Sequence, residues 1–248
     1  GAGYDSIDVE AATERGMMVC NTPTYCTDEV ADHAIALLMA CLRHVPRLDR
    51  GLRRGDHTMT IIDHTRRLAG STLGIIGFGR IGKRVAQRMR GWDLRIIAWD
   101  PYVRPEQARA AGAELMSLDE VLSAADFVSI HCPLTAETHH LIGRRELALL
   151  KPSAILVNDA RGPVVDEAAL IDALREGRLW AAGLDVFETE PLPAESPLLS
   201  LENVVLTPHA AAYSPESRAD VYALICEIGI DVAQGRVPRF VVNPEVLG

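Results

Sequence analysis

Residues 73–82 read LGIIGFGRIG, a short apolar run followed by glycines in the pattern G-x-G-x-x-G. In this pattern Gly77 allows a tight turn, Gly79 lets the backbone approach a pyrophosphate, and Gly82 lets the following helix pack closely on the strand. The amides at the start of that helix then face the phosphates. A glycine-rich turn alone is weak evidence, but here an apolar run precedes it and a helical pattern follows it. The stretch therefore predicts a dinucleotide-binding strand, turn and helix.

A second apolar run ends in Asp100, which lies 18 residues beyond Gly82 (100 − 82). An acidic side chain at about this distance commonly binds the ribose hydroxyls of a dinucleotide. Its charge also repels a 2′-phosphate, so NAD is favoured over NADP as the cofactor. Between the glycines, Phe78, Arg80 and Ile81 complete the predicted phosphate-binding turn. The alternative is a purely structural turn.

Short apolar runs alternate with helical patterns through most of the chain. Such alternation implies parallel strands joined by right-handed crossovers, and therefore an α/β fold with a doubly wound parallel sheet. The predicted strands are Leu73–Ile76, Leu94–Trp99, Phe127–His131, Ala154–Val157, Ala181–Val186 and Val204–Leu206. The predicted helices are Thr27–His44, Ile81–Arg90 (ended by Gly91), the helix capped by Ser117 that runs to Ala124, Arg144–Leu150, Asp166–Glu176 and Ser214–Gln234. Residues 47–70 are polar and poorly periodic, and they predict an extended arm.

The composition excludes several classes of function. The chain has 248 residues, 48% of them hydrophobic, and a net charge of −9, which predicts a packed protein that does not bind nucleic acid. No apolar stretch approaches the roughly 20 residues needed to span a bilayer. The five cysteines have no C-x-x-C spacing and predict reduced thiols in a cytoplasmic protein. No metal site is expected, because no pair of histidines has metal-ligand spacing with a third ligand.

Three polar side chains follow predicted strands. Arg161 follows the strand ending at Val157, and Glu190 and His209 follow the next two strands. Open α/β sheets bind their ligands in the crevice outside the carboxyl ends of the strands. A single loop histidine is more often an ordinary surface residue, so the prediction depends on the combination of the three residues. Together they are the candidates for chemistry.

The chain resembles the D-isomer-specific 2-hydroxyacid dehydrogenase family in four motifs that occur in the family's order. They are the glycine turn at 77–82, NDARG at 158–162, GLDVFETEP at 183–191 and TPH at 207–209. The resemblance extends over the whole chain. It implies a Rossmann cofactor domain inserted into a flavodoxin-like substrate domain. It also implies hydride transfer between NAD(H) and a small D-2-hydroxy acid or 2-keto acid.

The resemblance implies catalytic and substrate-binding roles for several residues. Arg161 matches the substrate arginine, whose planar fork suits two oxygens of a keto acid. His209 matches the acid/base, which donates a proton in reduction and accepts it in oxidation. Glu190 matches the carboxylate partner of that histidine, because a neighbouring anion stabilises the imidazolium. The backbone amides of Ala2 and Gly3 would bind the substrate carboxylate.

The resemblance also extends the predicted cofactor site beyond the glycine turn. Asp185 matches the residue that holds the nicotinamide carboxamide. His131 lies in a segment that lines the adenosine side, where its backbone counts for more than its imidazole. His33, on the long apolar helix, is expected to be a core histidine with its hydrogen bonds satisfied. The remaining predicted cofactor-binding residues are Cys132, Pro133, Thr138, Asp159, Ala160, Arg161, His209 and Ala211.

The resemblance implies three segments of domain structure and an assembly. Residues 1–21 would be a remnant of the substrate domain, 22–210 the NAD-binding Rossmann domain, and 211–248 the C-terminal return to the substrate domain. The family usually has roughly 70 more residues before the segment that begins here, so the chain is expected to lack the first part of that domain. The long apolar helix and the arm at 47–70 resemble the family's dimer-forming elements. They predict a homodimer through the NAD-binding domain.

The run TPHAAAYS at 207–214 most resembles the C-terminal-binding-protein branch of the family, which carries a tryptophan where this chain has Ala212. That difference leaves several substrates open, among them phosphoglycerate and hydroxypyruvate. The branch also raises an alternative function, an NAD(H)-sensing, corepressor-like binding protein without significant turnover. The combination of Arg161, Glu190 and His209 favours an enzyme, because a pure binding protein would not need it.

The carboxylate of Asp100 predicts a measurable preference for NADH over NADPH. The variant Asp100→Ala should relax that preference, because it removes the repulsion of the 2′-phosphate. Fluorescence titration of the wild type and the variant with both reduced cofactors measures the effect. Equal affinity of the wild type for the two cofactors, or tighter binding of NADPH, would contradict the prediction.

Overall fold

The computed structural model describes residues 1–57 and 65–247. It divides into two compact units, one formed by Gly1–Glu29 with Ala212–Gly248 and the other by Val30–Ala211. The predicted domain boundaries lay after residues 21 and 210. The observed boundaries come eight residues later (29 − 21) and one residue later (211 − 210). The assignment of the first unit to a substrate domain stays a prediction.

The larger unit is built on a parallel sheet that has seven strands within the described residues. The strands are β1 (Thr72–Ile76), β2 (Arg95–Trp99), β3 (Glu114–Leu115), β4 (Phe127–Ile130), β5 (Ile155–Asn158), β6 (Ala181–Leu184) and β7 (Val204–Leu206). Their order is β3-β2-β1-β4-β5-β6-β7, and every neighbouring pair runs parallel. The order reverses between β1 and β4, the switch point at which open α/β sheets bind ligands. The predicted doubly wound α/β fold is confirmed.

The register of the sheet brings the ends of its central strands level. Ile76 of β1 pairs with Trp99 of β2 and with Ile130 of β4. Ile130 pairs in turn with Asn158 of β5, and Asn158 pairs with Leu184 of β6. Because parallel strands all end at the same edge, the loops that follow them start side by side. The glycine turn and the loops with the predicted catalytic residues therefore begin at one edge.

Apolar side chains cover both faces of the sheet. Consecutive strand residues point to opposite faces, and Ile75 and Ile76 accordingly belong to different buried clusters, as do Ile96 and Ile97. The helices are α1 (Val9–Glu14), α2 (Thr27–Leu42), α3 (Val45–Arg53), α4 (Arg80–Met89), α5 (Pro105–Ala110), α6 (Leu118–Ala124), α7 (Arg144–Leu149), α8 (Glu167–Arg175) and α9 (Pro215–Ala233). Helices α2 and α4 contribute to one cluster, and α6, α7 and α8 to the other. This two-sided burial is what a parallel sheet requires.

The predicted cap at Ser117 is confirmed. Its hydroxyl oxygen accepts the N–H of Glu120 at 3.4 Å, and the Glu120 carboxylate accepts the N–H of Ser117 at 2.9 Å. This reciprocal pair satisfies two amides that the first turn of a helix leaves without a partner. It sets the start of α6, the helix that precedes β4.

The prediction of an extended arm over residues 47–70 is wrong for its first part. The segment begins as α3, and Pro46 stands in the first turn, where its missing N–H costs no hydrogen bond. Arg53 donates to Asp49, one turn earlier, at 2.9 Å. An (i, i+4) ion pair modestly favours a helix, and a polar composition does not exclude one. The part of the predicted arm at 58–64 lies outside the described residues.

Other element ends differ by a few residues. The long helix predicted to reach His44 ends at Leu42. The helix predicted to stop at Gly91 ends at Met89, and a short 3-10 turn follows it. The left-handed residue after that turn is Asp93, with a φ of +55°, and not Gly91. Elements α1, α5 and β3, each of six residues or fewer, were not predicted.

In the smaller unit the two ends of the chain are held together by Asn243, which is 1% exposed. Its Oδ1 accepts the N–H of Val19 at 2.7 Å, and its Nδ2 donates to Thr13 and to the carbonyl oxygen of Met17, both at 2.9 Å. A bridge between Cys20 and Val241 adds an antiparallel contact. Over residues 1–57 and 65–247, no helix has both the length and the apolar character needed to cross a membrane.

Gly82 is required by the packing of α4 on β1. A Cβ placed on Gly82 would lie 2.3 Å from the carbonyl oxygen of Gly77 and 3.0 Å from Ile75. Gly82→Ala should therefore destabilise the fold by about 1–3 kcal/mol, the usual cost of overpacking. Gly79→Ala is the matched control, because its Cβ would meet nothing within 4 Å, and it should cost at most about 1 kcal/mol as a weaker helix cap. Urea denaturation compares the two variants, and equal losses would contradict the packing argument.

Candidate active site

The glycine turn forms an open cradle at the start of α4. Gly77 has a φ of +88°, and a Cβ there would lie 2.5 Å from the amide nitrogen of Cys132, so only glycine fits. Gly79 is exposed, with nothing within 4 Å of a Cβ built on it. No side chain caps the first turn, so the amides of Arg80 and Ile81 are left to other acceptors. This space and these donors fit the pyrophosphate of a dinucleotide.

Asp100 follows β2 directly and is bonded to the glycine turn. Its Oδ2 accepts the N–H of Phe78 at 2.8 Å, and its Oδ1 accepts the N–H of Tyr102 at 2.9 Å. Each carboxylate oxygen can accept a second hydrogen bond, so both retain capacity for ribose hydroxyls. The ring of Phe78 is fully buried in the core, so only its backbone contributes to the turn.

His131 and Asp159 form a buried pair between the loops that follow β4 and β5. The imidazole of His131 is 1% exposed, its Nε2 lies 2.8 Å from the hydroxyl of Ser129, and its Nδ1 lies 3.3 Å from Oδ1 of Asp159. Within the described part of the chain, neither carboxylate oxygen of Asp159 has a partner with hydrogen-bond geometry. A buried carboxylate needs a nearby positive or donor group, which makes His131 its counterpart. The buried imidazole of His131 is not placed to donate a proton to substrate.

The loop after His131 is held by its own hydrogen bonds. The hydroxyl of Thr138 donates to the carbonyl oxygen of Pro133 at 2.6 Å and accepts the N–H of Thr135 at 2.8 Å. Burial raises the pKa of the Cys132 thiol to about 12, so this cysteine stays neutral. Of the predicted cofactor residues in this loop, Thr138 holds its shape through Pro133, and the backbone of Cys132 lies against the glycine turn.

The loop that carries Arg161 is shaped by Asn158, a residue that the sequence analysis did not assign to the site. Its Nδ2 donates to the carbonyl oxygen of Arg161 at 2.9 Å, and its Oδ1 accepts the N–H of Ala160 at 3.1 Å. Arg161 also donates from Nη1 to the carbonyl oxygen of Ala160 at 2.6 Å. A Cβ on Gly162 would lie 1.9 Å from the backbone of Phe187, so this glycine lets the next loop pass. In the sequence, an asparagine at the end of a buried strand is the feature that could have indicated this role.

His209 and Glu190 are in direct contact. Nδ1 of His209 lies 2.7 Å from Oε2 of Glu190, and Oε1 of Glu190 accepts the N–H of Phe187 at 3.0 Å. A carboxylate accepts hydrogen bonds, so Nδ1 of the imidazole carries the hydrogen and Nε2 is the nitrogen that can exchange a proton with a ligand. The imidazole is 47% exposed, so Nε2 is accessible for that exchange. The predicted pairing of the two side chains is present in the geometry.

Asp185 organises the turn around His209. Its side chain is fully buried, and its Oδ1 accepts from the hydroxyl of Thr207 at 2.6 Å and from the N–H of Ala210 at 2.8 Å. Its Oδ2 accepts the N–H of Ala211 at 2.8 Å. The predicted contact with the nicotinamide carboxamide stays a prediction, and the carboxylate is fully buried in this structure. Its visible role is to hold the turn.

His33 reaches the same network from α2. Its Nε2 lies 2.9 Å from the hydroxyl of Thr207 and 3.5 Å from Oδ1 of Asp185. Burial opposes the charge of Asp185, but the nearby imidazole of His33 and the hydrogen bonds from Thr207, Ala210 and Ala211 lower its pKa below the ordinary value. His33 is hydrogen-bonded as expected, but its side chain is 23% exposed, so it lies at the edge of the core and not within it. The sequence could not indicate that its partners belong to the candidate site.

Ala2 and Gly3 lie in the smaller unit. The carbonyl oxygen of Ala2 accepts a hydrogen bond from Nδ2 of Asn21 at 2.8 Å, and Gly3 is exposed. Their predicted binding of the substrate carboxylate stays a prediction.

Known proteins match both the sequence and the fold of this chain. Residues 35–211 match the family described as D-isomer specific 2-hydroxyacid dehydrogenase, NAD binding domain. A glyoxylate reductase from Korarchaeum cryptofilum is 47% identical over 250 residues, which cover 99% of this chain and 75% of that protein. A D-3-phosphoglycerate dehydrogenase from Methanocaldococcus jannaschii is 43% identical over 244 residues, which cover 98% of this chain and 46% of that protein.

A solved structure has the same fold with a cofactor and a hydroxy acid bound. The D-lactate dehydrogenase from Aquifex aeolicus, complexed with NAD and lactic acid, matches with a TM-score of 0.89 and 31% identity. The match covers 98% of this chain and 78% of that chain.

These similarities confirm the predicted Rossmann domain, the NAD cofactor and the class of NAD-dependent D-2-hydroxyacid oxidoreductase. They do not confirm the predicted C-terminal-binding-protein branch, since the relatives described above carry the names of metabolic dehydrogenases and reductases. The chain belongs to the D-isomer-specific 2-hydroxyacid dehydrogenase family, and residues 35–211 are its NAD-binding domain.

Proposed function

We propose that this chain reduces a small 2-keto acid to the D-2-hydroxy acid with NADH, and that glyoxylate is the first substrate to test. One observation carries the proposal: Glu190 holds Nδ1 of His209 at 2.7 Å and leaves Nε2 for proton transfer. The 47% identity to a glyoxylate reductase supports the choice of substrate. The D-lactate and phosphoglycerate dehydrogenases make pyruvate and hydroxypyruvate the next substrates in the same assay.

The side chains divide the work of the proposed reaction. When bound, NADH supplies the hydride that is added to the carbonyl carbon of the keto acid. Nε2 of His209 donates the proton that the new hydroxyl group needs, and Glu190 stabilises the imidazolium before the transfer. The guanidinium of Arg161 binds the carboxylate and carbonyl oxygens and stabilises the negative charge that develops there. In the oxidation direction, Nε2 of His209 accepts the hydroxyl proton instead.

We propose that the cofactor lies along the carboxyl edge of the sheet, with its pyrophosphate at Gly79 and its adenosine ribose at Asp100. The full proposed set is Gly77, Phe78, Gly79, Arg80, Ile81, Gly82, Asp100, His131, Cys132, Pro133, Thr138, Asp159, Ala160, Arg161, Asp185, His209 and Ala211. Several of these residues contribute backbone atoms or hold a loop in place. The substrate would be bound by Arg161 and His209, with the amides of Ala2 and Gly3.

The alternative is an NAD(H)-sensing binding protein without significant turnover. It rests on the resemblance of residues 207–214 to a branch that the relatives do not support. An assay of NADH oxidation with glyoxylate, hydroxypyruvate and pyruvate separates the two functions. A binding protein would retain NADH and oxidise it no faster than background.

His209→Gln should lower the rate of keto-acid reduction by about 10²–10⁴, the usual contribution of a positioned proton donor. Its affinity for NADH should change little, because the imidazole acts on the substrate. Loss of NADH absorbance measures turnover, and fluorescence titration measures NADH binding. His139→Gln is the matched control, because His139 lies on an exposed turn outside the proposed site. Near-normal turnover of His209→Gln would show that another group donates the proton.

We also propose a homodimer formed through the NAD-binding domain. Val45, Leu48 and Leu52 lie at helical spacing on α3 and are 57%, 37% and 59% exposed, an apolar surface that a second subunit would cover. Light scattering at micromolar concentration should give twice the mass of one chain, and the mass of a single chain would contradict the proposal. The cytoplasmic location and the absence of nucleic-acid binding stay predictions.

A further inference from the structure

A chain of hydrogen bonds connects His33 on α2 to Asp185. Nε2 of His33 lies 2.9 Å from the hydroxyl oxygen of Thr207, and that hydroxyl donates to Oδ1 of Asp185 at 2.6 Å. A threonine hydroxyl has one hydrogen, and a carboxylate accepts hydrogen bonds only. Because Thr207 gives its hydrogen to Asp185, His33 must give its Nε2 hydrogen to Thr207. The direction of each bond in the chain is therefore determined.

The same carboxylate holds the turn that carries His209. Asp185 accepts the N–H groups of Ala210 and Ala211, both at 2.8 Å, and its carbonyl oxygen accepts the N–H of His209 at 2.7 Å. His209 has a φ of +52°, in the left-handed region that a residue with a Cβ adopts only at a cost. Such a conformation persists where surrounding contacts hold it. The bonds to Asp185 are those contacts.

We propose that His33 is a positioning residue for proton transfer, which holds the turn of His209 in place through Thr207 and Asp185. The inference rests on the proposed role of His209 as the acid/base. His33 is not itself the proton donor to substrate, because its Nε2 hydrogen is engaged by Thr207. Without that donor, the Thr207 hydroxyl loses one of its two hydrogen bonds, and the carboxylate of Asp185 loses part of what fixes it.

The charges around His33 make this positioning depend on pH. The carboxylate of Asp185, 3.5 Å from Nε2 of His33, raises the pKa of that histidine, burial opposes the rise, and the charge of Asp159 adds to it. These two carboxylates act on His33 from the loops after β6 and β5. Protonation at Nδ1 adds a positive charge beside Asp185 and leaves the bond from Nε2 to Thr207 intact.

Two carboxylates near His33 on α2 are engaged with other partners. Asp32 accepts from Arg88 at 2.9 Å, and Glu29 accepts from Ser214 at 2.8 Å. The sign of the pH effect then follows from the raised pKa of His33. A raised histidine pKa stabilises the folded arrangement below its ordinary value, and that contribution is lost as the pH rises through the raised value. The turn of His209 should therefore be held less firmly as the solution becomes alkaline.

Two variants of the full chain separate the donor from its charge. His33→Gln keeps an N–H donor at a similar reach and cannot be protonated, whereas His33→Leu removes the donor at similar volume. NMR measures hydrogen exchange of the Ala210 and Ala211 amides, corrected for intrinsic rates, and steady-state kinetics with glyoxylate give kcat and KM. Thr207→Val and Thr207→Ser repeat the comparison from the other side of the bond, in case His33→Leu fails to fold.

In His33→Leu and Thr207→Val, exchange of the two amides should be faster by about tenfold and kcat lower by a similar factor, in line with one lost hydrogen bond. His33→Gln and Thr207→Ser should restore slow exchange. The wild type should lose protection as the pH rises through the raised pKa of His33, and His33→Gln should show no such step.

Unchanged exchange in both His33→Leu and Thr207→Val would overturn the inference, and so would a fall in kcat without faster exchange. Failure of the proposed function would give a different pattern of results. In that case the wild type shows no turnover, or His209→Gln keeps normal turnover, while the exchange measurements still report whether His33 holds the turn.

Discussion

Parallel strand pairing is the constraint on which the rest of this structure depends. A parallel strand cannot be followed by a tight hairpin, so each one leads into a crossover that covers a face of the sheet. The division of Ile75 and Ile76 between two buried clusters reflects that covering. The same constraint makes the strands end at one edge, with Ile76, Ile130 and Asn158 level. The loops that carry the candidate residues meet there because of topology.

Buried polar groups at that edge fix the geometry of the exposed ones. Asp185 accepts hydrogen bonds from a threonine hydroxyl and two amides, and Asp159 on the neighbouring loop has the imidazole of His131 beside it. A buried carboxylate with several hydrogen-bond donors is held in place, and so is the backbone that supplies the amides. His209 can therefore be both exposed to ligand and fixed in a left-handed conformation. Preorganised groups of this kind lose little on reaction.

The family match identifies the cofactor, whereas the identity of the substrate acid is a proposal. The family match covers residues 35–211, almost the whole of the larger unit, and the glycine cradle lies within it. Relatives with similar fold carry names that refer to glyoxylate, lactate and phosphoglycerate. A cation for a carboxylate and a histidine for a proton serve all of these substrates equally. Substrate choice therefore depends on groups outside this shared machinery, since fold alone does not specify it.

Local patterns in the sequence determined the doubly wound sheet, the dinucleotide turn and the candidate residues Arg161, Glu190 and His209. The sheet and the turn follow from periodicity and from the spacing of neighbouring residues, and the three candidates follow from their position after strands and from the resemblance of their motifs to the family. Helix α3 was not predicted, because the polar composition of its segment suggested an extended arm, although Arg53 and Asp49 are spaced to pair along a helix. Only the tertiary structure decided that His33 meets Thr207, 174 positions away, and that Asn158 and Asp185 hold the loops of the site. Such partners are set by strand register and by the crossing of helix over sheet, and no local pattern contains that information.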